Sequence, residues 1–248
     1  MKFPILLAFC LIHFLFFGQQ RFDVSFGLAN LGQIDRTIEK FYTVDYPDGF
    51  LDEEYINLIK SRKIQYNLGF AYQLKNDFKL RLRAGHGQFY TYRDQNFSNS
   101  SITRTEDQSV FEITPSIAYC KSFDRISLQT GIEIPFYSVS AYRFKTHALV
   151  YDSVGLLLNE SFGTTTYDPG FITGINQFVR LEFNLSKSIA LYAEMNFGLL
   201  YAHLGDQYVR ESKFTYPDAT TYTETFDKTY SNIFLSSPQM QFGLKVGF

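Results

Sequence analysis

Strict alternation of apolar and polar residues is the feature that most constrains the fold of this chain. In the closing stretch QMQFGLKVGF, residues Met240, Phe242, Leu244, Val246 and Phe248 are apolar, whereas the residues between them are small or polar. A period of two places successive side chains on opposite faces of a β-strand. The chain therefore ends in a strand with one apolar face and one polar face.

Seven earlier segments repeat this pattern, so the sequence predicts an all-β fold of eight antiparallel strands. In residues 64–74, for example, Ile64, Tyr66 and Leu68 alternate with Gln65 and Asn67. The connections alternate between short polar turns and long loops, which is the layout of an up-and-down transmembrane β-barrel. The predicted strands cover residues 21–31, 64–74, 78–86, 108–120, 126–136, 171–185, 189–201 and 239–248.

The polar faces of these strands favour a membrane barrel over a soluble β-protein. They interleave small residues with charges of both signs, and a barrel of about eight strands is only wide enough for side chains to fill it. A soluble sandwich or lipocalin-like barrel is the alternative, and a ten-stranded barrel that recruits parts of the first or third long loop also stays open. The charged residues predicted to face the lumen are Arg81, Arg83, Glu112, Glu133, Arg180, Glu182, Glu194 and Lys245.

The N-terminal segment predicts export. A basic residue, Lys2, precedes an apolar run and a small-residue exit, which is the pattern of a signal peptide covering residues 1–20. The run is shorter than the ~20 residues that a spanning helix needs, so a retained membrane anchor is the weaker interpretation. Residues 21–248 then form the barrel domain, with cleavage between Gly18 and Arg21.

Charge and cysteine content exclude several classes of protein. The chain has 23 basic and 25 acidic residues, and this balance gives no electrostatic basis for binding nucleic acid. After removal of the leader, Cys120 is the only cysteine left, so no internal disulfide is expected. No His/Cys cluster has the spacing of a metal site, and the sequence predicts no cofactor and no metal.

No catalytic residue is predicted, and the sequence indicates a protein that is not an enzyme. His86, His147 and His203 are the histidines after the leader. None stands in a His-x-Ser arrangement or has a carboxylate partner at strand spacing, and His86 and His203 are interpreted as rim residues at strand ends. The first long loop is acidic, and a solvated loop is favoured over a divalent-cation site. Its acidic residues are Asp45, Asp48, Asp52, Glu53 and Glu54.

The long loops offer the best sequence basis for function. Residues 212–226 alternate Thr and Tyr around a Pro-Asp turn, which predicts a hairpin that continues the last two strands beyond the membrane. Residues 89–111 have similar flanks around an Asn/Ser tip, and residues 147–162 are unusually apolar for a loop. Protruding strands with open edges can recruit a partner strand. Aromatic residues near strand ends predict an interfacial girdle: Phe41, Tyr42, Tyr90, Tyr92, Tyr137, Tyr142 and Tyr201.

Prolines interrupt three of the predicted strands. Pro115 and Pro135 fall inside the fourth and fifth strands, and Pro238 falls at the start of the eighth. Proline cannot donate a hydrogen bond to a ladder. Each is therefore predicted to mark a bulge or a place where a strand leaves the membrane.

The leader, the opening RFDVSFGLANLG, the rhythm of turns and loops, and the closing FGLKVGF resemble the outer-membrane β-barrel domain proteins of Bacteroidetes-type bacteria. These are broadly similar to small OmpA/OmpX-type barrels. The resemblance implies a C-terminal signal for the barrel-assembly machinery, carried by Phe242, Leu244, Val246 and Phe248. Covering the lower rim is the alternative role for Phe248.

These observations predict a monomeric barrel of the bacterial outer membrane that presents long extracellular loops for interaction. Its expected partners are outer-membrane lipid, the barrel-assembly machinery during biogenesis, and an envelope or extracellular protein bound through the loops. A narrow pore, or an accessory barrel of a transport or secretion assembly, is the alternative function. An outer-membrane lipid-modifying enzyme is the third.

Overall fold

The computed structural model describes residues 22–30, 56–74, 77–216, 218–236 and 238–248, with the side chains of 56–63 and Tyr216 excepted. The predicted signal peptide, the acidic first loop, Phe41 and Tyr42 lie outside these residues. No helix in the described ranges is long and apolar enough to cross a membrane.

In the described residues all of the regular structure is β, in one sheet of fourteen strand segments. Thr, Tyr, Phe, Ile and Val dominate these segments, and their alternation fits a pleated surface with two different faces. The segments are β1 Phe22–Asn30, β2 Ile56–Gln73, β3 Phe78–Phe97, β4 Ser100–Phe123, β5 Ile126–Glu133, β6 Phe136–Val139, β7 Tyr142–Tyr151, β8 Leu157–Tyr167, β9 Gly170–Asn184, β10 Ile189–Leu204, β11 Gln207–Tyr216, β12 Thr220–Asp227, β13 Tyr230–Leu235 and β14 Gln239–Gly247.

A ring of eight antiparallel strands forms the barrel, and the eight-stranded prediction is confirmed. Its order is β1, β2, β3, β4, β5 continued by β6, β9, β10 and β14. The first and last strands close the ring, with Val24 opposite Val246 and Phe26 opposite Leu244. The backbone of Phe248 donates to the carbonyl of Phe22 at 2.8 Å and completes the seam.

The three prolines lie where strands change partner or stop. Pro135 separates β5 from β6, and Pro238 precedes β14. Pro115 stays inside β4, at the step where the partner of β4 changes from β5 to β6. Its carbonyl accepts a hydrogen bond from Ile134 at 3.0 Å. The missing N–H of Pro115 thus faces the break in the next strand. The predicted interruption is present at Pro135, whereas the β3–β4 register runs through Pro115 without a bulge.

The outward faces of the ring form an exposed apolar band, as a transmembrane barrel requires. Along the lower part of the ring strands most exposed residues are large and apolar, and most buried ones between them are small or polar. The band includes Phe26, Leu28, Leu68, Leu80, Leu82, Phe111, Ile113, Ile117, Ile132, Ile134, Phe136, Ile175, Leu181, Phe183, Leu191, Phe197, Leu199, Met240, Phe242 and Leu244.

Part of the predicted aromatic girdle is wrong. Tyr201 faces outward, and Tyr90 and Tyr92 are half-buried, but Tyr137 and Tyr142 are buried inside, at 1% and 8% exposure. The period-two alternation runs in phase through Pro135, with Ser127, Gln129 and Glu133 inward before it and Tyr137 inward after it. Tyr137 therefore belongs to the inward face although it lies near a predicted strand end.

Beyond the ring, four segments and the upper halves of the ring strands form a protruding sheet. Its order is β2-β3-β4-β7-β8-β11-β12. The predicted hairpin around the Pro-Asp turn exists as β11 and β12, but it does not continue the last two ring strands. It packs sideways instead, with β11 paired to β8, while β13 pairs with the top of β10.

The opposite end of the barrel carries the short turns and both described chain ends. Asp77 and Asp124 lie in these turns with φ of 63° and 50°. Asp tolerates this left-handed region better than most residues with a side chain. This end is called the short-turn end below.

Candidate functional site

The eight charged residues predicted for the lumen are brought together inside the barrel and are named here the lumen cluster. They lie at inward positions of the ring strands and their side chains are nearly all buried. Arg83 is central: its guanidinium contacts Glu112 at 2.8 Å, Glu194 at 2.7 Å and Glu133 at 3.2 Å. One arginine therefore neutralises part of three carboxylates from three different strands.

The rest of the lumen cluster extends toward the short-turn end. Arg81 pairs with Glu194 at 2.5 Å, and Arg180 contacts Glu182 on its own strand at 2.8 Å. Lys245, on the closing strand, reaches Glu182 at 2.5 Å. The pairs of Arg81 and Lys245 cross the lumen, because their partners stand on strands that are not neighbours. Every buried charge of the cluster has an opposite charge in contact, as burial in a low dielectric demands.

Amide side chains form a layer beside the lumen cluster that sequence reasoning did not single out. Gln65 donates to Asn67 at 2.8 Å and also to Glu112, and Asn67 donates to Gln241 at 3.1 Å. Gln241 in turn donates to the hydroxyl of Tyr192 at 2.6 Å. The alternation marks these residues as inward, but only the barrel geometry shows that they bond across it.

Glycines on the inward faces make room for this layer. A Cβ on Gly85 would overlap Asn67 Oδ1 and Gln65 Nε2. A Cβ on Gly27 would overlap the hydroxyl of Tyr192. Bulky amides and a tyrosine thus fit across a narrow lumen because the facing strands carry no side chain at these points.

Above the polar lumen the interior becomes apolar, in a cluster named here the upper core. Tyr137 lies at the boundary, opposite Glu112 on one side and Ile172 on the other. Leu200 and Leu204 of β10 are buried in the same cluster. The upper core consists of Phe89, Val110, Tyr137, Val139, Tyr142, Phe144, Tyr167, Ile172, Leu200, Ala202 and Leu204.

The lumen opens toward the short-turn end. A cavity of about 590 Å³ lies there, lined by Asp23, Lys79, Cys120, Glu182 and Lys245 among others. Asp23 and Lys79 pair across it at 2.6 Å. The free thiol of Cys120 lines this cavity. The lumen cluster and the upper core fill the barrel above it.

The protruding sheet ends in a strand that is exposed along its whole length. All eight residues of β12 are exposed. Within the described chain β12 pairs with one strand, β11, in an unbroken register from Gln207↔Asp227 to Phe214↔Thr220. Its other edge therefore presents backbone donors and acceptors to solvent.

His147 has a carboxylate partner that the sequence did not reveal. His147 Nε2 lies 3.1 Å from Glu160 on the neighbouring strand, and its ring stacks on Phe162 with centroids 4.2 Å apart. Thr215 of β11 donates to the same carboxylate at 2.7 Å. Hydrogen bonds from Thr215 and His147 lower the pKa of Glu160. The carboxylate thus ties together three strands of the protruding sheet.

His203 also has partners that the sequence did not reveal. His203 Nδ1 lies 2.8 Å from Ser231 Oγ, directly across the β10–β13 pair, and Nε2 lies 3.5 Å from Asp206. The group stands on the outward rim beside Phe171, whose ring centroid lies 5.6 Å from the imidazole. His86 lies well inside β3, opposite Tyr66 and Phe111 on the apolar outer face, and not at a strand end. In the described ranges no three His, Cys, Asp or Glu side chains gather as a metal site.

Comparisons with known proteins give solved structures alone. No protein-family model and no curated protein matches the chain. A major outer membrane protein from Thermus thermophilus aligns at 8% identity and a TM-score of 0.43, over 93% of this chain and 100% of that one. Ail, the attachment invasion locus protein of Yersinia pestis, aligns at 12% identity and a TM-score of 0.34, over 92% and 97% of the two chains. CarO of Acinetobacter baumannii aligns at 9% identity and a TM-score of 0.35, over 77% and 96%. At such scores the assignment of the fold rests on the strand pairing described above.

Proposed function

We propose that this protein is a non-enzymatic, monomeric component of the bacterial outer membrane that displays its protruding sheet to a protein partner. The apolar outer band supports lipid as the surrounding solvent, since exposed Leu, Ile and Phe side chains at this density are unfavourable in water. The short-turn end would then face the periplasm, and the hairpins the cell exterior.

The open edge of β12 is the observation that carries this function. An unpaired strand edge is a template for pairing with another chain, and soluble proteins commonly protect such edges with lysine, proline or bulges. Residues 220–227, TTYTETFD, contain neither lysine nor proline. The strand is rich in Thr, Tyr and Phe, which favour extended structure. Addition of a partner strand is a recurrent mode of peptide recognition.

Site-specific photocrosslinking on intact cells tests this function. A photoreactive residue at Thr223, on β12, should give a discrete adduct with a partner. The same residue at Ser153, in the exposed turn between β7 and β8, is the control and should give none. An adduct at neither position, or at both equally, contradicts contact through β12.

Fractionation tests the membrane assignment separately. We expect the full chain to sediment with outer membranes of a Gram-negative host and to change mobility on a denaturing gel when boiled, because closed barrels resist detergent until heated. A soluble periplasmic band with no mobility change would overturn the outer-membrane proposal.

The C-terminal strand supports a role in assembly. Phe242, Leu244 and Phe248 are exposed on the outer face of the closing strand, and we propose that with Val246 they form the signal read by the barrel-assembly machinery. Phe248→Ala should then lower the yield of heat-modifiable protein in cells while refolding in detergent stays unchanged. Equal yields in cells would reject the signal and leave Phe248 as a rim residue.

The filled interior counts against the alternative of a narrow pore or transport-accessory barrel. The upper core and the lumen cluster occupy successive levels of the barrel, and both consist largely of buried side chains. We expect no steady conductance when the purified barrel is inserted in a planar bilayer. Stepwise conductance with the unmodified protein would restore the pore interpretation.

A second candidate function, hydrolysis of a lipid ester, is favoured by the arrangement of Ser231, His203 and Asp206. Ser231 Oγ would attack the ester carbonyl while His203 takes its proton and then delivers it to the leaving alcohol. Water would release the acyl group from the serine by the same route in reverse. Asp206 is 73% exposed, so water competes for its contact with the imidazole, and this function ranks second. Ester hydrolysis by the purified barrel that is lost in Ser231→Ala would support the hydrolase function. Equal rates for the two proteins would exclude it.

A further inference from the structure

A row of stacked aromatic side chains runs from the upper core to the open edge of the protruding sheet. Tyr142, Tyr167, Tyr208 and Phe226 stand opposite one another on β7, β8, β11 and β12. Their ring centroids are 5.8, 4.9 and 4.8 Å apart in that order. The first two rings are buried, whereas Phe226 is 40% exposed. The ladder therefore stops at the edge strand with one ring still partly uncovered.

The next row on the same face ends in a charge. Arg210 of β11 stands opposite Glu224 of β12. Glu224 is exposed and lies two positions before Phe226 in the same strand, so both side chains project from one face. The third row of this face ends at Tyr222, opposite Ser212. A strand added to β12 would meet an aromatic ring, a carboxylate and a second aromatic ring at successive alternate positions.

We propose that β12 accepts an antiparallel peptide strand from a second protein, with an aromatic side chain opposite Phe226 and a lysine or arginine opposite Glu224. This inference rests on the proposed function and specifies the partner's chemistry. Every strand pair in the sheet is antiparallel, so we expect an added strand to pair with β12 in the antiparallel direction as well. Read from its N-terminus, the partner segment has the pattern aromatic, any residue, basic, any residue, aromatic or β-branched.

Charge argues against a second copy of this chain as the occupant. Two copies of β12 paired antiparallel, so that Phe226 of each stacks on Tyr222 of the other, would place both Glu224 side chains directly opposite each other. Like charges directly opposite in a ladder are destabilising. Two copies of this chain therefore cannot continue the aromatic ladder without bringing their two Glu224 side chains together.

Peptide binding to the full chain, refolded in detergent, tests the proposal. The probe is a fluorescent peptide with the core Phe-Thr-Lys-Thr-Tyr, and the matched control replaces its lysine by glutamate. We expect the lysine peptide to bind at least about fivefold more tightly, since opposite and like charges directly across a ladder each change the pairing energy. Two N-methylated peptides can be made, one methylated at the odd positions and one at the even positions. Only one of them should lose binding, because only the N–H groups along one edge of the peptide donate to β12.

A charge swap distinguishes recognition at Glu224 from a general effect of peptide charge. Glu224→Lys should reverse the preference, so that the glutamate peptide binds more tightly. Phe226→Ala should weaken the lysine peptide roughly three- to tenfold, the value of an aromatic pair. The heat-modifiable band must persist in both variants, which shows that the barrel still folds.

Three results would overturn the inference. Equal binding of the two peptides excludes a basic residue opposite Glu224 as the basis of recognition. Contact through β12 is then still tested by the crosslinking at Thr223. If the protein forms a dimer that is changed by Glu224→Lys but not by added peptide, the edge of β12 binds a second copy of this chain. No binding of either peptide rejects strand addition of this chemistry, whatever the crosslinking shows.

Discussion

The lumen cluster and the upper core occupy the same barrel interior at two levels, yet one is charged and the other apolar. At the level of the lumen cluster the outer faces of the strands carry Leu, Ile and Phe. On the β4 and β7 side of the upper core the outer face carries residues such as Asp107, Arg143 and Lys145, whereas beside Tyr137 and Leu200 it still carries Phe136 and Leu199. The surroundings of the sheet therefore change from lipid to water on the β4 and β7 side.

This contrast shows how one continuous sheet satisfies two solvents. Where water surrounds the sheet, the inner face must supply the buried apolar surface that stabilises a fold. Where lipid surrounds it, apolar side chains gain little by turning inward, so the narrow lumen can hold ion pairs and amides. Tyr137 stands at the level where the interior changes from charged to apolar.

The largest effect is expected from removing the central cation of the lumen cluster. Arg83→Leu leaves Glu112, Glu133 and Glu194 buried with fewer compensating contacts, and breaking a buried ion pair costs about 3–5 kcal/mol. The measurement is the free energy of unfolding by denaturant in detergent. Arg125→Leu, in an exposed short turn, is the matched control and should change it little. Similar losses in both variants would show that the lumen cluster is not a stabilising centre.

A somewhat smaller loss is expected in the upper core. Leu200→Ala removes a side chain that is 2% exposed, and such truncations cost about 2–5 kcal/mol. The neighbouring Leu199 is 53% exposed on the outer face. Leu199→Ala therefore leaves no cavity and should cost less by the same assay. If both variants lose equal stability, the upper core is not packed as a soluble core.

The boundary residue should show an intermediate effect. Tyr137→Phe keeps the ring in the upper core but removes a buried hydroxyl at the position opposite Glu112. We expect a loss of about 1 kcal/mol, the typical net value of one hydrogen bond. Tyr119→Phe, on the outer face, serves as control. An unchanged free energy of unfolding in Tyr137→Phe would place the boundary elsewhere.

The smallest effect concerns pH and the protruding sheet. Because hydrogen bonds from Thr215 and His147 lower the folded-state pKa of Glu160, this carboxylate stabilises the sheet above its ordinary pKa of 4.5. That contribution is lost as the pH falls from 4.5 through the lowered pKa. Amide hydrogen exchange across the β8–β11 pair should then quicken, relative to the lumen strands. Glu160→Gln should show no such pH dependence, and a matching response in the variant would contradict the assignment.

Alternation predicted the ring because a period of two leaves no choice about which side chains share a face. The eight lumen charges, the outer band and the interruptions at proline follow from that period and from the chemistry of proline. The same count places Tyr137 inward, because the alternation runs unbroken through Pro135. The girdle prediction fails there because it rests on residue type near a strand end and not on the phase of the strand. The partners of His147 and His203 were missed for another reason: Glu160 and Ser231 are neighbours only across a strand pair, whose register one sequence does not specify.

Local pattern along the chain was enough to specify a β-barrel with polar residues inside, apolar residues outside and long hairpins at one end. Those properties depend on alternation and on the lengths of connections, which can be read residue by residue. Only the folded chain shows which charges meet Arg83, how the interior changes from charged to apolar, and that β12 lies at the free edge of the sheet. Each depends on contacts between residues far apart in sequence, because ring closure and the sideways packing of β11 on β8 set those distances.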